Sequence, residues 1–379
     1  MNEIYFDNAA TTQVNEDVIS LMAQVMREDY GNPSSLHTRG VQAQLLMTRA
    51  QKQLLAALGA KCGQVLFTSG GTEANNLALF GGADAKKRRG NRIVITSIEH
   101  SSVLATAREL ARRGFEMIEI QPESDGHIDA EKLIDACNDE TILVSMMLVN
   151  NEVGTVQPIT QVAKKLRLKS PNALLHTDAV QAFGKIPFSV SALGVDMLTL
   201  SGHKIHAPKG VGALYVADKV RLTPLLYGGS QQRGLRPGTE SVPMIAALGL
   251  AAQNAADQLD NNRSKSQQTK DALIEGLSAL SNVCINSPSE NCSPFLLNCS
   301  ALGYRSETLL HFLASHGIYV SSGSACSKGA KSHVLAAMGK NAREINAALR
   351  ISLCATNTPQ QAARFCDTLR LAMQSLRQA

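Results

Sequence analysis

Residues 174–204 read LLHTDAVQAFGKIPFSVSALGVDMLTLSGHK, and this stretch decides the fold. It contains two short strand-like runs, residues 174–177 and 197–200, and polar residues follow each run at once. Short apolar runs bounded by turn residues are typical of strands that are buried on both faces. Similar strand-like runs occur at residues 65–68, 92–96, 141–149 and 212–216.

Helical patterns lie between most of these runs. Apolar residues recur with helical spacing at residues 73–80, 102–112 and 159–168. Two further helices are predicted before the first strand, one between Asn15 and Gly31 and one ending at Gly59. The apolar face of the first of them comprises Val18, Leu21, Met22, Val25 and Met26. This alternation predicts an α/β fold with a mostly parallel sheet covered by helices on both faces.

The sequence changes in character after residue 253. Residues 253–270 are strongly polar and contain no turn signals, which predicts a long exposed helix connecting two bodies. Beyond it we predict short strands, a helix and a last helix that Thr358-Pro359 opens. These shorter elements are placed near residue 283, at residues 295–300 and at residues 306–315. They predict a smaller α+β domain.

The composition excludes several classes of protein. Of the 379 residues 44% are hydrophobic, which is too many for a disordered chain. The net charge of +5 is mild, and the most basic run, residues 86–89, is predicted to end a helix, so no nucleic-acid partner is expected. No apolar run approaches the roughly 18 residues of a membrane span, and the N-terminus lacks a secretory signal. We therefore expect no membrane partner and a cytoplasmic location.

The chain has eight cysteines but no Cys-x-x-Cys pair. It is also far longer than the small secreted scaffolds that depend on disulfides. We therefore expect reduced thiols, most of them buried as small apolar side chains.

Polar groups that could carry chemistry follow four of the predicted strands, where ligands of open α/β sheets bind. The segment 69–73, SGGTE, opens a helix with small residues, and its Gly71 and Thr72 suit a phosphate group. An ordinary glycine turn with a Ser/Thr cap is the alternative. Asn151 follows the strand at 141–149, where a simple turn is the alternative.

The strands quoted at the outset end in Asp178 and in the segment 201–204, SGHK. A carboxylate such as Asp178 can hold a cationic ring nitrogen, although it can equally cap a turn. Lys204 can form a Schiff base if it is partly desolvated, whereas an ordinary lysine is a solvated charge. His203 and His206 could be a metal pair, but no third ligand has suitable spacing, so no metal is expected.

Together these groups match what pyridoxal 5'-phosphate (PLP) needs: a helix start for its phosphate, Asp178 for its ring nitrogen and Lys204 for its aldehyde. A second signal is the segment 321–329, SSGSACSKG. Its Cys326 has Ser and Gly neighbours that offer little apolar surface, and nearby lysines favour a thiolate. This composition predicts an exposed nucleophilic thiol, with a surface cysteine without a role as the alternative.

The sequence resembles the cysteine desulfurases of the NifS/IscS type, a branch of the class V, fold-type I PLP enzymes. Motifs along nearly the whole chain carry the resemblance: YFDNAATT, GNPSSLH, FTSGGTEANN, IEHSSVL, VNNEVG, HTDAVQ, SGHKIHAPKG, GGSQQRGLRPGTE, SSGSACSKG and ALRISL. The resemblance implies a seven-stranded, mostly parallel sheet in a large PLP-binding domain, residues 15–255. It implies a small domain formed by residues 1–14 with 256–379, carrying a catalytic cysteine loop at about 321–333.

The resemblance also implies roles for individual residues. Lys204 resembles the lysine that holds PLP as an aldimine, Asp178 the partner of the ring nitrogen, and His100 the residue stacked on the ring that assists proton transfers. Cys326 resembles the nucleophile that forms a persulfide. Contacts to the cofactor or the substrate are implied for Gly71, Thr72, Ser201 and His203 at the phosphate, Asn151 and Gln181 near the phenolic oxygen, Thr239 at the phosphate of a second subunit, and Arg350 with Asn151 at the substrate.

The implied reaction converts L-cysteine to L-alanine, with sulfur held on Cys326 and passed to an acceptor protein such as an iron–sulfur scaffold. The implied assembly is a homodimer. Three alternatives stay open: a selenocysteine lyase, a class V aminotransferase that needs no loop cysteine, and a non-catalytic partner subunit. The segment Cys354-Ala355-Thr356, just after Arg350, departs from the usual pattern of the family.

Overall fold

A computed structural model describes residues 3–322 and 331–377 of the chain. Its strands are, in chain order, β1 (Ile4–Tyr5), β2 (Gln64–Thr68), β3 (Arg92–Thr96), β4 (Glu116–Ile120), β5 (Thr141–Ser145), β6 (Leu174–Asp178), β7 (Met197–Ser201), β8 (Gly212–Val216), β9 (Val283–Ile285), β10 (Leu296–Ala301), β11 (Ile318–Tyr319) and β12 (Ala348–Ser352).

The helices lie between these strands and after them. They are α1 (Glu16–Glu28), α2 (Thr38–Ala57), α3 (Gly71–Lys86), α4 (Ser101–Arg112), α5 (Ala130–Asp135), α6 (Ile159–Lys169), α7 (Val190–Leu193), α8 (Val242–Asp257), α9 (Leu259–Ser278), α10 (Ser306–Ser315), α11 (His333–Ala337), α12 (Ala342–Asn346) and α13 (Pro359–Ser375). None of the helices within the described residues is both long and apolar enough to span a membrane.

Seven strands form the central sheet in the order β2-β8-β7-β6-β5-β3-β4. The pairs from β7 through β4 are parallel, and β8 runs antiparallel to both of its neighbours, β7 and β2. The predicted α/β fold with a mostly parallel seven-stranded sheet is therefore confirmed.

Helices cover both faces of this sheet because successive side chains of a strand point to opposite sides. On β3, Val94 packs into the core beneath α1, α2, α5, α6 and α8, whereas Ile93 and Ile95 pack against α3 and α4. On β5, Val144 packs in the same core as Val94, and Leu143 packs in the core that contains Ile93 and Ile95. The apolar runs of the sequence are continuous because both faces are buried.

A second body lies around a three-stranded antiparallel sheet, β12-β10-β9. Its apolar core is contributed by β1, α9, α10, α13 and the strands themselves. The N-terminal strand β1 joins this body by pairing in parallel with β11. Residues from the start and the end of the chain are thereby brought together beside the large sheet.

Several expectations about single elements were wrong. The predicted strand at 141–149 ends at Ser145. The strand β4 was missed because its sequence, EMIEI, lies at a partly exposed edge of the sheet and contains two glutamates. The polar stretch 253–270 is not one helix, since Gln258 separates α8 from α9. Met26 is 60% exposed rather than part of the buried face of α1. The helix expected to run through residues 86–89 ends at Lys86.

The expectation that most thiols are buried was also wrong. Seven cysteines lie within the described residues, and all seven are free. Only Cys137, Cys299 and Cys366 are buried, and burial raises the pKa of Cys137 and of Cys366 to about 11. Cys62 and Cys284 are exposed.

Candidate active site

A cavity of about 390 Å³ opens beyond the carboxyl ends of the central strands. This volume lies in the range of small-molecule sites, roughly 300–1,000 Å³. Its wall combines the large sheet with residues of the N-terminal segment and of β12. Predicted site residues that line it are Gly71, Thr72, His100, Asn151, Asp178, Gln181, Ser201, His203, Lys204 and Arg350.

Asp178 is the last residue of β6, and its carboxylate is held from two sides. Asn75 Nδ2, on α3, donates to Oδ2 at 2.8 Å, and the backbone N–H of Val180 donates to Oδ1 at 2.9 Å. Asp178 is 4% exposed. The carboxylate is therefore fixed in direction and largely shielded from water, which strengthens its attraction for a cation in the cavity.

The same asparagine connects Asp178 to His100. Asn75 Nδ2 also donates to Ser102 Oγ at 2.8 Å, and Ser102 Oγ lies 2.7 Å from His100 Nδ1. The backbone N–H of Ser102 donates to Nδ1 as well, at 3.2 Å, so Nδ1 is an acceptor and the neutral ring carries its proton on Nε2. Burial lowers the pKa of His100, and the charge of Lys204 adds to this effect, whereas Asp178 opposes it.

Lys204 lies in a short 3-10 turn, Gly202–Lys204, directly after β7. Its Nζ donates to the carbonyl oxygens of Ala9 and Ala10, each at 2.6 Å, so the N-terminal segment holds the amine in the cavity. Burial, followed by the charge of Lys204, lowers the pKa of the neighbouring His203 to about 4. His203 is therefore uncharged at neutral pH.

The start of α3 forms another part of the wall. Gly70 has an almost fully extended φ of 157°, and a Cβ on Gly71 would lie 3.1 Å from Val180 Cγ2. The first N–H groups of a helix have no partner within it, so this turn offers them to a ligand. Glu73 accepts from the N–H of Ser69 at 2.7 Å and pairs with Arg236 at 2.8 Å. These hydrogen bonds and the charge of Arg236 lower the pKa of Glu73 despite its partial burial.

Arg350, on β12, is 2% exposed and reaches the cavity from the second body. It donates to Asp7 Oδ1 at 3.0 Å and to the carbonyl oxygen of Asn151 at 3.2 Å. Burial raises the pKa of Asp7, although Arg350 opposes the shift. Among the described residues no hydrogen-bond partner lies near Arg350 Nε or Asn151 Oδ1, and both atoms are buried.

Two predicted residues remain. Cys326 lies outside the described residues. Thr239 is exposed and does not line the cavity of its own chain.

Sequence reasoning missed Asn75, Ser102 and His333. His333 lines the cavity, and its Nε2 lies 3.1 Å from the carbonyl oxygen of Glu99. Asn75 could have been found, because it lies one helical turn after Gly71 and so faces the same way. Nothing in the sequence around His333 indicates that it reaches this cavity.

The residues that line the cavity suit the binding of PLP. The orphaned buried atoms of Asn151 and Arg350 require polar partners that a ligand can supply. The wall offers a helix start and a serine for a phosphate, a fixed carboxylate for a ring nitrogen and an amine for an aldehyde. The described residues contain no group of three or more His, Cys, Asp and Glu that could hold a metal ion.

Comparison with known proteins agrees with this fit. Residues 4–365 match the family model described as aminotransferase class-V. The chain belongs to this family. The class-V family is PLP-dependent, and this chain is accordingly a PLP-dependent enzyme of its cysteine desulfurase branch.

Relatives within the class-V family are similar over nearly their whole length. Cysteine desulfurase IscS of Methanosarcina thermophila is 39% identical over 99% of this chain and 93% of the relative. Putative cysteine desulfurase IscS 1 of Bacillus subtilis is 41% identical over 95% of this chain and 96% of the relative. A solved NifS-like protein superposes with a TM-score of 0.94 at 38% identity and covers 99% of this chain and 100% of that structure.

Proposed function

We propose that this cavity holds PLP and converts L-cysteine to L-alanine, with the sulfur retained as a persulfide on Cys326. The observation that carries the proposal is the convergence of Lys204, Asp178 and the start of α3 in one cavity with the buried guanidinium of Arg350. A solved relative, SspA in complex with cysteine, is 33% identical and superposes with a TM-score of 0.82 over 93% of this chain. The cysteine bound to that relative supports L-cysteine as the substrate.

Each group has a task in this proposal. Gly71, Thr72, Ser201 and His203 would hold the phosphate, and Lys204 would bind the aldehyde carbon covalently. Asp178 would keep the ring nitrogen protonated, which its fixed orientation favours. When bound, PLP supplies an electron sink for the negative charge left at the substrate Cα.

The substrate would be oriented by Arg350, whose Nε is available to its carboxylate, together with Asn151. The substrate amine would take the place of Lys204, whose released Nζ would then remove the proton from Cα, and His100 Nε2 would assist proton transfer. The Cys326 thiolate would then attack the substrate sulfur. One C–S bond breaks, one S–S bond forms, and a proton replaces sulfur on the carbon, so that cysteine leaves as alanine.

Two variants test these roles. After incubation with L-cysteine, mass spectrometry should find one added sulfur atom on Cys326, and Cys326→Ala should bind PLP yet release no sulfide. Lys204→Ala should lose both turnover and the absorption band of the lysine-bound cofactor. Normal turnover by Cys326→Ala, or an unchanged spectrum in Lys204→Ala, would overturn the corresponding assignment.

We also propose the setting in which this chemistry occurs. A persulfide cycle needs reduced thiols, which places the enzyme in the cytoplasm, and the sulfur acceptor would be a protein such as an iron–sulfur scaffold. Pull-down with a scaffold protein after loading with L-cysteine, followed by detection of the transferred sulfur, tests the acceptor. Persulfide that stays on the enzyme in the presence of the scaffold would argue against it.

The proposed domains are the ranges expected from the resemblance, residues 15–255 and residues 1–14 with 256–379. The separate apolar core of the second body supports this division. Limited proteolysis should cut first near Gln258, between α8 and α9. First cleavage within the central sheet would contradict it.

A further inference from the structure

A second lysine, Lys185, lies buried behind the wall of the cavity. It is 6% exposed, and its Nζ donates to Oε1 of Gln181 at 2.8 Å. Gln181 lines the cavity, whereas Lys185 does not. Burial, and then the charge of Lys204, lowers the pKa of Lys185 to about 7. None of the catalytic steps above uses this amine.

A buried amine needs a physical reason. Besides burial, the charges of Lys204 and Arg350 disfavour a charged Lys185. An apolar side chain of similar volume would fill the same space without the cost of desolvating an amine. What the amine adds is its hydrogen bond to Gln181.

This hydrogen bond fixes which end of the Gln181 amide faces the cavity. While Lys185 carries its proton it can only donate, so the amide oxygen must point toward it. Nε2 then faces the other way and donates to the carbonyl oxygen of Ala9 at 3.0 Å, the same oxygen that accepts from Lys204 Nζ. An amide nitrogen carries two hydrogens, so one remains for a ligand of the cavity.

We propose that Lys185 is a positioning residue for the cofactor: it orients Gln181 so that an N–H, and not a carbonyl oxygen, faces the bound ring. This proposal rests on the proposed PLP site. An N–H at this place attracts an acceptor oxygen on the ring, whereas the flipped amide would repel it. Lys185 itself acts only through Gln181 and touches neither cofactor nor substrate.

The test compares Lys185→Met, Gln181→Ala and the double variant, without L-cysteine. Cofactor affinity is measured by equilibrium dialysis, and the absorption spectrum of bound PLP is titrated with pH. Loss of one hydrogen bond of about 0.5–1.5 kcal/mol predicts cofactor binding about 2- to 10-fold weaker and a shifted spectral midpoint. Because Lys185 acts through Gln181, the double variant should match Gln181→Ala alone.

Lys270→Met is the matched control. Lys270 is similarly buried, at 4% exposed, but its Nζ donates to the carbonyl oxygen of Ser293 and lies 3.1 Å from Cys292 Sγ, away from the cavity. Its replacement should leave affinity and spectrum unchanged. Gln181→Glu offers a second variant in case Lys185→Met does not fold, since its carboxylate accepts from Lys185 but has no N–H for the cavity. It should weaken binding as much as Gln181→Ala.

Additive effects of Lys185→Met and Gln181→Ala would overturn the proposal, as would wild-type affinity in Lys185→Met or in Gln181→Glu. Failure of the PLP site itself would look different, because Lys204→Ala would then keep the spectrum of the wild type.

Discussion

A buried carboxyl group beside the cavity, that of Glu99, makes the stability of the folded protein depend on pH. Glu99 is 0% exposed, and its Oε1 accepts from Thr96 Oγ1 at 2.6 Å and from the N–H of Met147 at 2.8 Å. Among the described residues Oε2 has no partner. Burial, with a smaller contribution from the charge of Asp178, raises the pKa of Glu99 to about 8, so the folded protein keeps this group protonated at pH 7.

Glu99→Gln should remove this pH dependence. The folded state binds the proton more tightly than the unfolded state, so the stability from Glu99 is fully present below about pH 4.5 and is lost as pH rises toward 8. Across that window the free energy of unfolding of the wild type should fall by about 1.4 kcal/mol per pH unit relative to that of the variant. Urea unfolding of both proteins at pH 5 and pH 8 measures the difference, and a difference that is equal at both pH values would contradict the assignment.

The sequence identified the residues of the cavity that follow strands or resemble motifs, but not those that support them. Asp178 and Lys204 were found because strand ends of an α/β sheet meet at one edge. Asn75 and Ser102 were missed because each lies inside a helix pattern, where a polar residue is ordinarily taken for part of an exposed face. The hydrogen bond between Asn75 and Ser102 depends on how α3 packs beside α4, and the one between Asn75 and Asp178 depends on how α3 packs on the sheet.

At the scale of elements, the start of α3 depends on a glycine from a different strand. Gly212, on β8, pairs with Thr68 and Ser201 at the ends of the adjacent strands. A Cβ at this position would lie 2.7 Å from the backbone of Gly70 and 2.8 Å from the carbonyl oxygen of Leu200. Both contacts are with backbone atoms, so the turn before α3 can lie against the sheet only if residue 212 has no side chain.

Gly212→Ala should therefore displace this turn and weaken cofactor binding. Overpacking of this kind costs about 1–3 kcal/mol, which corresponds to binding about 5- to 150-fold weaker if the strain falls on the turn. Titration of the apoprotein with PLP measures the affinity. Ala213→Gly is the control, because it weakens the same strand without adding an atom near Gly70 and should lower stability while affinity is kept. Wild-type affinity in Gly212→Ala would show that the turn does not need this close approach.

The elements that the sequence failed to define share a physical cause. β4 is an edge strand in which none of the five residues is fully buried, so the apolar run that marks the inner strands is missing. The break at Gln258 has no Gly or Pro, and the two helices part because α8 packs on α1 and α2 whereas α9 packs on α13. Tertiary packing, and not local propensity, sets both features.

At the scale of the whole molecule, several large apolar side chains are exposed within residues 3–322 and 331–377. Leu36 is 99% exposed, Tyr227 is 83% exposed and Tyr30 is 71% exposed. Thr239 is exposed as well, on the segment that Arg236 ties to the start of α3. We propose that, in the homodimer that the sequence resemblance implies, Thr239 reaches the cavity of the neighbouring subunit.

Hybrid dimers test whether Thr239 serves the cavity of the other subunit. Lys204→Ala removes the amine of a cavity, and Thr239→Ala removes the hydroxyl offered to the partner, so each homodimer should bind PLP poorly at low cofactor concentration. A dimer with one subunit of each kind would contain one complete cavity, because the Thr239→Ala subunit keeps Lys204 and the Lys204→Ala subunit supplies Thr239. Hybrids purified through two different affinity tags should therefore regain about half of the wild-type absorption of lysine-bound cofactor. Half is expected because one of the two equivalent sites of the dimer is intact. If Thr239 acted within its own chain, neither cavity of the hybrid would be complete and no absorption would return.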